Sequence, residues 1–142
     1  MEVPANNPYQ TPQAPVADAL SADAGRKLTP KEIYFSFEGR LSRKPFWLYS
    51  LALIVPLWIL FFILALISKT LMMIVAVPLD IVMIWVGLAL QVKRWHDRDK
   101  SGWWVLIGLI PLIGTLWVFV EAGCLRGTEG GNRFGGDATD QY

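Results

Sequence analysis

The densest group of reactive side chains lies in a short charged stretch, residues 94–101, which reads R-W-H-D-R-D-K-S. His96 stands directly before Asp97, and two such groups can act as a general acid and base. Adjacency in sequence does not define a catalytic triad, because a triad depends on geometry. A single histidine without a second His or Cys nearby is weak evidence for a metal site. Acid–base catalysis is therefore the least favoured interpretation of this stretch.

The same stretch is better explained as an anchor at a membrane surface. Arg94 and Arg98 can contact lipid phosphates, each for about 1 kcal/mol near an anionic leaflet. Ser101 can cap the helix that follows, and Trp103 can lie at headgroup level at the start of that helix. Anchoring is the favoured interpretation, and recognition of a substrate or partner is the alternative.

Asp80 is unusual because it lies in the middle of a long apolar segment. A carboxylate at bilayer depth costs at least about 2.5–3.5 kcal/mol, so we expect it to face other helices. Helical spacing puts it on one face with Gly87 and Gln91. Thr115, at mid-depth in the next apolar segment, is its predicted hydrogen-bond partner. A polar clasp between helices is the favoured hypothesis, and a proton or ion site is the alternative.

Three long apolar segments, at residues 46–67, 71–92 and 103–125, must position these side chains. About 20 apolar residues in a helix cross a hydrocarbon core of about 30 Å. A lipid-exposed segment has to be helical, because its backbone polar groups must be satisfied internally. The sequence therefore predicts an all-α integral membrane protein with three transmembrane helices. A re-entrant segment would raise the number of passes to four.

The segments outside the membrane are polar. Residues 1–28 are Pro-rich and are predicted to be a disordered tail, with no early apolar region of the kind that marks a secretory signal peptide. Residues 29–45 are predicted to form a short interfacial helix, which begins with a capping box at Thr29, and then a basic turn. Residues 126–142 are predicted to be a Gly-rich polar tail.

Composition limits the chemistry further. The formal net charge is +1, which gives no global field that would favour nucleic acid. Cys124 is the only cysteine, so an intramolecular disulfide and a thiolate metal cluster are excluded. No nucleophile accompanies His96 and Asp97. We expect no catalytic residues, no metal and no cofactor, and a protein that is not an enzyme.

The distribution of Lys and Arg predicts an orientation. Basic residues are concentrated before the first apolar segment and between the second and the third. The positive-inside rule places both groups in the cytoplasm, so the N-terminus is predicted to be cytoplasmic. With three crossings, the C-terminal tail is then predicted to lie on the outer side.

Three short motifs occur in order along the chain. They are F-x-G-R-x-x-R-x-x-F-W at 37–47, R-x-H-D-x-x-x-S-G-W-W at 94–104 followed by I-P-x-x-G at 110–114, and G-T-x-G-x-N-x-F-G at 127–135. Together they resemble the bacterial inner-membrane proteins of the domain-of-unknown-function 805 family, over about residues 33–136. The resemblance implies a small cytoplasmic-membrane protein of three or four helices and supplies no activity.

The resemblance also implies that the motif residues form one site. With the neighbouring anchors, the predicted lipid- or partner-binding residues are Arg40, Arg43, Arg94, His96, Asp97, Arg98, Ser101, Trp103, Asn132 and Phe134. A single site conflicts with three crossings, which put the last motif on the opposite side of the membrane. Either the third segment is re-entrant around Pro111, or the last motif acts alone on the outer face. The charge pattern favours the second.

The leading functional hypothesis is a non-enzymatic membrane module that binds anionic lipid or a partner protein. The alternative is an oligomeric channel or transporter that uses Asp80 in a kinked helix bundle. The expected partners are membrane lipids, and either further copies of the chain or another membrane protein.

Overall fold

The computed structural model describes residues 26–139, so nearly all of the predicted disordered tail lies outside the described residues. Every regular element within the described range is helical. In chain order these elements are α1 (Pro30–Phe35), α2 (Arg43–Ile67), α3 (Lys69–Asp97), a 3₁₀-helix (Gly102–Leu109), α4 (Ile113–Val118) and a π-helix (Phe119–Cys124).

Helices α2 and α3 form a long hairpin that is joined at Ser68. The Ser68 side chain caps α3 by accepting a hydrogen bond of 3.4 Å from the backbone N–H of Leu71. The two helices contain 25 and 29 residues. At 1.5 Å per residue they extend about 37 and 43 Å, more than a hydrocarbon core of about 30 Å. Pro56 and Pro78 lie inside the helices without ending them.

The hairpin exposes its apolar side chains. Trp58 and Leu66 on α2 are 71% and 72% exposed. The most apolar 18-residue stretch of α2 has no buried residues, and 6% of the corresponding stretch of α3 is buried. The core helix of a soluble protein would bury this surface, so the hairpin is built to contact lipid.

Helix α1 packs against the end of α3 that lies far from Ser68. Its capping box is present: the Thr29 hydroxyl accepts from the backbone N–H of Glu32, and the Glu32 carboxylate accepts from the backbone N–H of Thr29 at 2.8 Å. Ile33 is buried in a small core with Leu41 and Leu90. The short helix is thus fixed against the hairpin, and its predicted position at the membrane surface stays a prediction.

The third apolar segment is not one helix, so the predicted continuous crossing over 103–125 is wrong. The 3₁₀-helix is followed by a break at residues 110–112, after which α4 and the π-helix run back. Arg94, near the end of α3, donates to the carbonyls of Ala122 and Leu125. The end of the segment therefore returns to the side where it began. The re-entrant alternative is the one that matches the structure.

Pro111 and Gly114 explain the reversal. Proline disfavours helix at the residue before it, and Ile110 is extended, with φ −77° and ψ 115°. Gly114 lets the two limbs approach closely, because a Cβ built there would lie 1.8 Å from the carbonyl oxygen of Ile107. The outgoing limb (residues 102–109) and the returning limb (residues 113–124) contain 8 and 12 residues and extend only about 16 and 18 Å. Neither limb is long enough to cross a bilayer.

Candidate functional site

The three sequence motifs meet at the end of the hairpin opposite Ser68. Arg40 of the first motif connects all three. Its guanidinium donates to an Asp97 carboxylate oxygen at 3.2 Å and to the backbone carbonyls of Thr128, Gly130 and Gly136 at 2.7, 2.6 and 2.9 Å. The tail that begins at Gly127 therefore lies on the same side as the charged stretch. The predicted separation of the tail from the charged stretch is wrong, because the third segment returns. We call this assembly of residues 36–44, 93–101 and 121–137 the polar cap.

Asp97 is the centre of the polar cap. One carboxylate oxygen accepts from Arg40 and the other from Arg94. Arg40, Arg94 and Asp97 are 2%, 0% and 1% exposed. A buried charge is tolerated only when it is paired and hydrogen-bonded, and here each guanidinium also donates to backbone carbonyls. Arg40 and Arg94 therefore hold the fold together and are not available at the surface to bind lipid.

The third motif fits closely around Asp97. The backbone N–H and the hydroxyl of Thr128 both donate to the Asp97 backbone carbonyl, at 2.8 and 3.0 Å. A Cβ at Gly127 would lie 2.0 Å from an Asp97 carboxylate oxygen. A larger residue at this position would have to displace the Asp97 carboxylate from its two arginine partners.

His96 serves packing and does not pair with Asp97, so the proposed acid–base pair is not formed. Its ring stacks on Phe134 with the centroids 3.9 Å apart and the planes 5° from parallel. Its Nδ1 lies 3.3 Å from the Gly39 carbonyl oxygen. The Asn132 side-chain amide donates to the His96 backbone carbonyl at 2.9 Å. The structure thus brings His96, Asn132 and Phe134 together, as predicted, and they form the contact between the end of α3 and the tail.

Arg43 contacts the last residue of the returning limb, and Arg98 contacts the chain just after it. An Arg43 guanidinium N–H donates to the Cys124 carbonyl at 2.9 Å, and Arg98 donates to the Arg126 carbonyl at 2.6 Å. Arg43 stays exposed, and Arg98 is half-buried.

Ser101 and Trp103 begin the 3₁₀-helix. Ser101 precedes it without a side-chain cap hydrogen bond, so its predicted capping role is wrong. Trp103 is 78% exposed, which leaves its predicted anchoring role in place as a prediction.

Asp80 and Thr115 are not brought together, so the predicted clasp between them is wrong. Asp80 is exposed on α3, and it makes no hydrogen bond or ion pair within residues 26–139. Thr115 lines a cavity that Asp80 does not reach. Asp80 shares a helix face with Gly87 and Gln91, but it lies beyond the reach of the short returning limb. The proton- or ion-site hypothesis would therefore need a second molecule to cover it.

Two charged residues of the cap were not singled out from sequence. Lys93 is fully buried, and its ammonium donates to the carbonyls of Ile33, Ser36 and Ala89, which fixes α1 onto α3. Glu121, 8% exposed, accepts from Arg98 at 3.1 Å and from Lys100. The sequence did contain a signal for Glu121, because a carboxylate inside an apolar segment requires a cationic partner.

The far end of the tail is ordered by Asp137. Its carboxylate accepts from the backbone N–H groups of Thr139 and Gly130, both at 2.8 Å. These hydrogen bonds favour the charged form and lower the pKa of Asp137 below its usual value. Within the described part of the chain, no group of three or more His, Cys, Asp or Glu side chains is placed to hold a metal ion.

Fold and site together define a small helical membrane protein: two long lipid-facing helices, a returning segment and a polar cap made from three motifs. The chain belongs to the family described as "Protein of unknown function (DUF805)", whose family model matches residues 34–136. The predicted family is therefore confirmed.

Curated relatives agree with this assignment. Inner membrane protein YhaH of Escherichia coli (strain K12) is 39% identical over 111 residues, which cover 73% of this chain and 88% of YhaH. Inner membrane protein YhaI of the same strain is 36% identical over 109 residues, covering 73% of this chain and 86% of YhaI. The uncharacterized protein YiiR of that strain is 26% identical over 138 residues, covering 80% and 92%. No solved structure matches the chain.

Proposed function

We propose that this protein crosses the inner membrane twice, with both termini in the cytoplasm, and binds anionic lipid at its cytoplasmic surface. The proposed orientation is supported by charge. Of the thirteen Lys and Arg residues, twelve lie at the polar-cap end of the hairpin or in the segments joined to it, and Lys69 alone lies at the turn. The positive-inside rule then places the cap in the cytoplasm with both termini.

A labelling experiment tests this topology. In a Cys124→Ser background, we expect Thr70→Cys to react with a membrane-impermeant maleimide added to the periplasm, because Thr70 follows the hairpin turn. Thr139→Cys should react only after the inner membrane is opened, because Thr139 follows the cap. Labelling of Thr139→Cys in intact spheroplasts would contradict the two-crossing topology.

The observation that carries lipid binding is the exposed basic pair at the start of α2. Arg43 and Lys44 are exposed. Lys44 makes no hydrogen bond or ion pair within residues 26–139, and Arg43 makes one hydrogen bond, to a carbonyl. Trp47, one turn further into the helix, is 38% exposed. Basic groups above an aromatic ring match the headgroup region of an anionic leaflet.

The buried arginines leave this role to the exposed pair. Arg40 and Arg94 are occupied by Asp97 and backbone carbonyls. Arg133, also exposed, is paired with Asp99 at 3.2 Å. Arg43 and Lys44 are exposed, have no carboxylate partner within residues 26–139 and lie beside Trp47, so they are the proposed contacts for a phosphate.

Native mass spectrometry of the protein from nanodiscs that contain phosphatidylglycerol and phosphatidylethanolamine tests the proposal. We expect Arg43→Gln/Lys44→Gln to lower phosphatidylglycerol affinity by about 30-fold, because each basic residue contributes about 1 kcal/mol near an anionic surface. Lys69→Gln, at the opposite end of the hairpin, is the matched control and should leave the affinity unchanged. Equal retention of phosphatidylglycerol by all three proteins would refute lipid binding through this pair.

A further inference from the structure

A cavity lies beside the basic pair, between the hairpin and the returning limb. Its volume is about 320 Å³, near the lower end of the ~300–1,000 Å³ range of small-molecule sites. Its lining is mostly apolar and comes from α2, α3, α4 and the π-helix. The cavity exists because α2 contacts the returning limb only at the π-helix, while α4 stands apart from it.

Trp47 and Gly123 join α2 to the π-helix at the polar-cap end of the cavity. The Trp47 indole N–H donates to the Gly123 carbonyl at 3.0 Å, and both residues line the cavity. Arg43 lies one helical turn before Trp47 and donates to the neighbouring Cys124 carbonyl. The cavity thus begins directly beneath the exposed basic pair of Arg43 and Lys44.

Two features inside the cavity favour an occupant. Gly87 leaves space open, because no atom lies within 4 Å of a Cβ built there. Gln91, which also lines the cavity, has a buried side-chain oxygen without a hydrogen-bond partner in the described part of the chain. A buried amide normally has a partner, and either end of this one can be turned to meet it.

The order of these features along α3 matches the order of groups in a phospholipid. Gln91 lies three residues, or about 4.5 Å, deeper than Arg94, and Gly87 lies about 6 Å deeper again. With a phosphate at Arg43 and Lys44, an ester carbonyl of the lipid could accept a hydrogen bond from the Gln91 side-chain NH2 once the amide is turned toward the cavity. The acyl chain would then run past Gly87 into the apolar part of the cavity.

We propose that the cavity holds one acyl chain of an anionic phospholipid whose phosphate lies against Arg43 and Lys44. The inference rests on the proposed function, and it adds a defined binding cavity for one lipid molecule. The cavity volume suits a single chain better than a whole phospholipid, so the second chain would stay in the bilayer.

The inference is tested by varying the acyl-chain length of the lipid and the volume of the cavity. Delipidated protein in detergent is titrated with dioleoyl-phosphatidylglycerol, dihexanoyl-phosphatidylglycerol and dioleoyl-phosphatidylethanolamine, and the bound lipid is counted by native mass spectrometry. We expect the wild type to bind the long-chain phosphatidylglycerol at least about tenfold more tightly than the short-chain one, because burial of each methylene is favourable. Gly87→Leu, which fills the cavity, should remove that preference and leave short-chain binding unchanged.

Ala65→Leu, on the exposed lipid-facing surface of α2, is the control and should behave as the wild type. If Gly87→Leu keeps the chain-length preference while Arg43→Gln/Lys44→Gln loses phosphatidylglycerol, the acyl-chain site is refuted and the proposed function stands. If the phosphatidylethanolamine binds as tightly as the phosphatidylglycerol, the anionic specificity fails. The wild-type titration decides the inference even if a variant fails to fold, since equal affinity for both chain lengths would overturn it.

Discussion

Asp97→Ala is expected to destabilise the protein by about 3–5 kcal/mol, because it leaves two buried guanidinium groups without their counter-charge. Arg40 and Arg94 are almost fully buried, and within residues 26–139 Asp97 is the only carboxylate paired with them. The same change removes the side chain that packs against Gly127. The tail should therefore detach first, and unfolding of the hairpin should need less denaturant.

Two measurements check this prediction in detergent. The free energy of unfolding is obtained from a denaturant titration, and release of the tail is followed by the rate of trypsin cleavage after Arg126 and Arg133. Asp99→Ala is the matched control, since the Asp99 side chain is 48% exposed and its ion pair with Arg133 is a surface one. A surface pair contributes about 0–1 kcal/mol. If Asp97→Ala were no more destabilised than Asp99→Ala, the buried cluster would not be what holds the cap together.

The sequence was sufficient for the membrane class, and the family resemblance indicated which residues of the polar cap belong together. Long apolar segments follow from bilayer thickness, which is a local property of the chain. The three motifs indicated that Arg40, Asp97 and Asn132 belong to one site. The structure brings these residues together, with Arg40 donating to Asp97 and Asn132 donating to the His96 carbonyl.

The sequence was not sufficient for the path of the third segment. Hydropathy counts apolar residues and does not register a reversal, so 103–125 resembled a third crossing. That error separated the last motif from the other two. Pro111 and Gly114 are the residues that indicate the reversal. Prolines are common inside membrane helices, however, so the charge pattern was given more weight.

Burial of individual charges was the hardest feature to predict. Lys93 and Glu121 are buried because distant segments supply their partners: α1 for Lys93, and Arg98 and Lys100, just after α3, for Glu121. Asp80 was expected to face inward because a lipid-exposed carboxylate is costly. It is exposed because the returning limb is too short to cover that part of α3. Whether each of these charges is buried depends on where another helix or loop ends. The spacing of residues along a single helix does not determine that.

Gly114→Ala is expected to destabilise the protein by about 1–3 kcal/mol or more, because the added methyl group would overpack the reversal. The new Cβ would lie 1.8 Å from the carbonyl oxygen and 2.9 Å from the carbonyl carbon of Ile107. Backbone atoms cannot turn aside as a flexible side chain can, so the two limbs must separate. Separation would also weaken the contacts that Arg94 makes with the end of the returning limb.

Gly87→Ala provides the comparison, because it makes the same chemical change in a membrane helix where no atom lies within 4 Å of the new Cβ. We expect it to be neutral or to stabilise by up to about 1 kcal/mol through helix propensity. Both variants are measured by denaturant titration in the same detergent, with tail release followed by trypsin. A continuous crossing helix would respond to both substitutions alike, since alanine favours helix over glycine at either site. A loss of stability confined to Gly114→Ala would therefore identify a close reversal at this position, whereas equal stability of the two variants would contradict the re-entrant path.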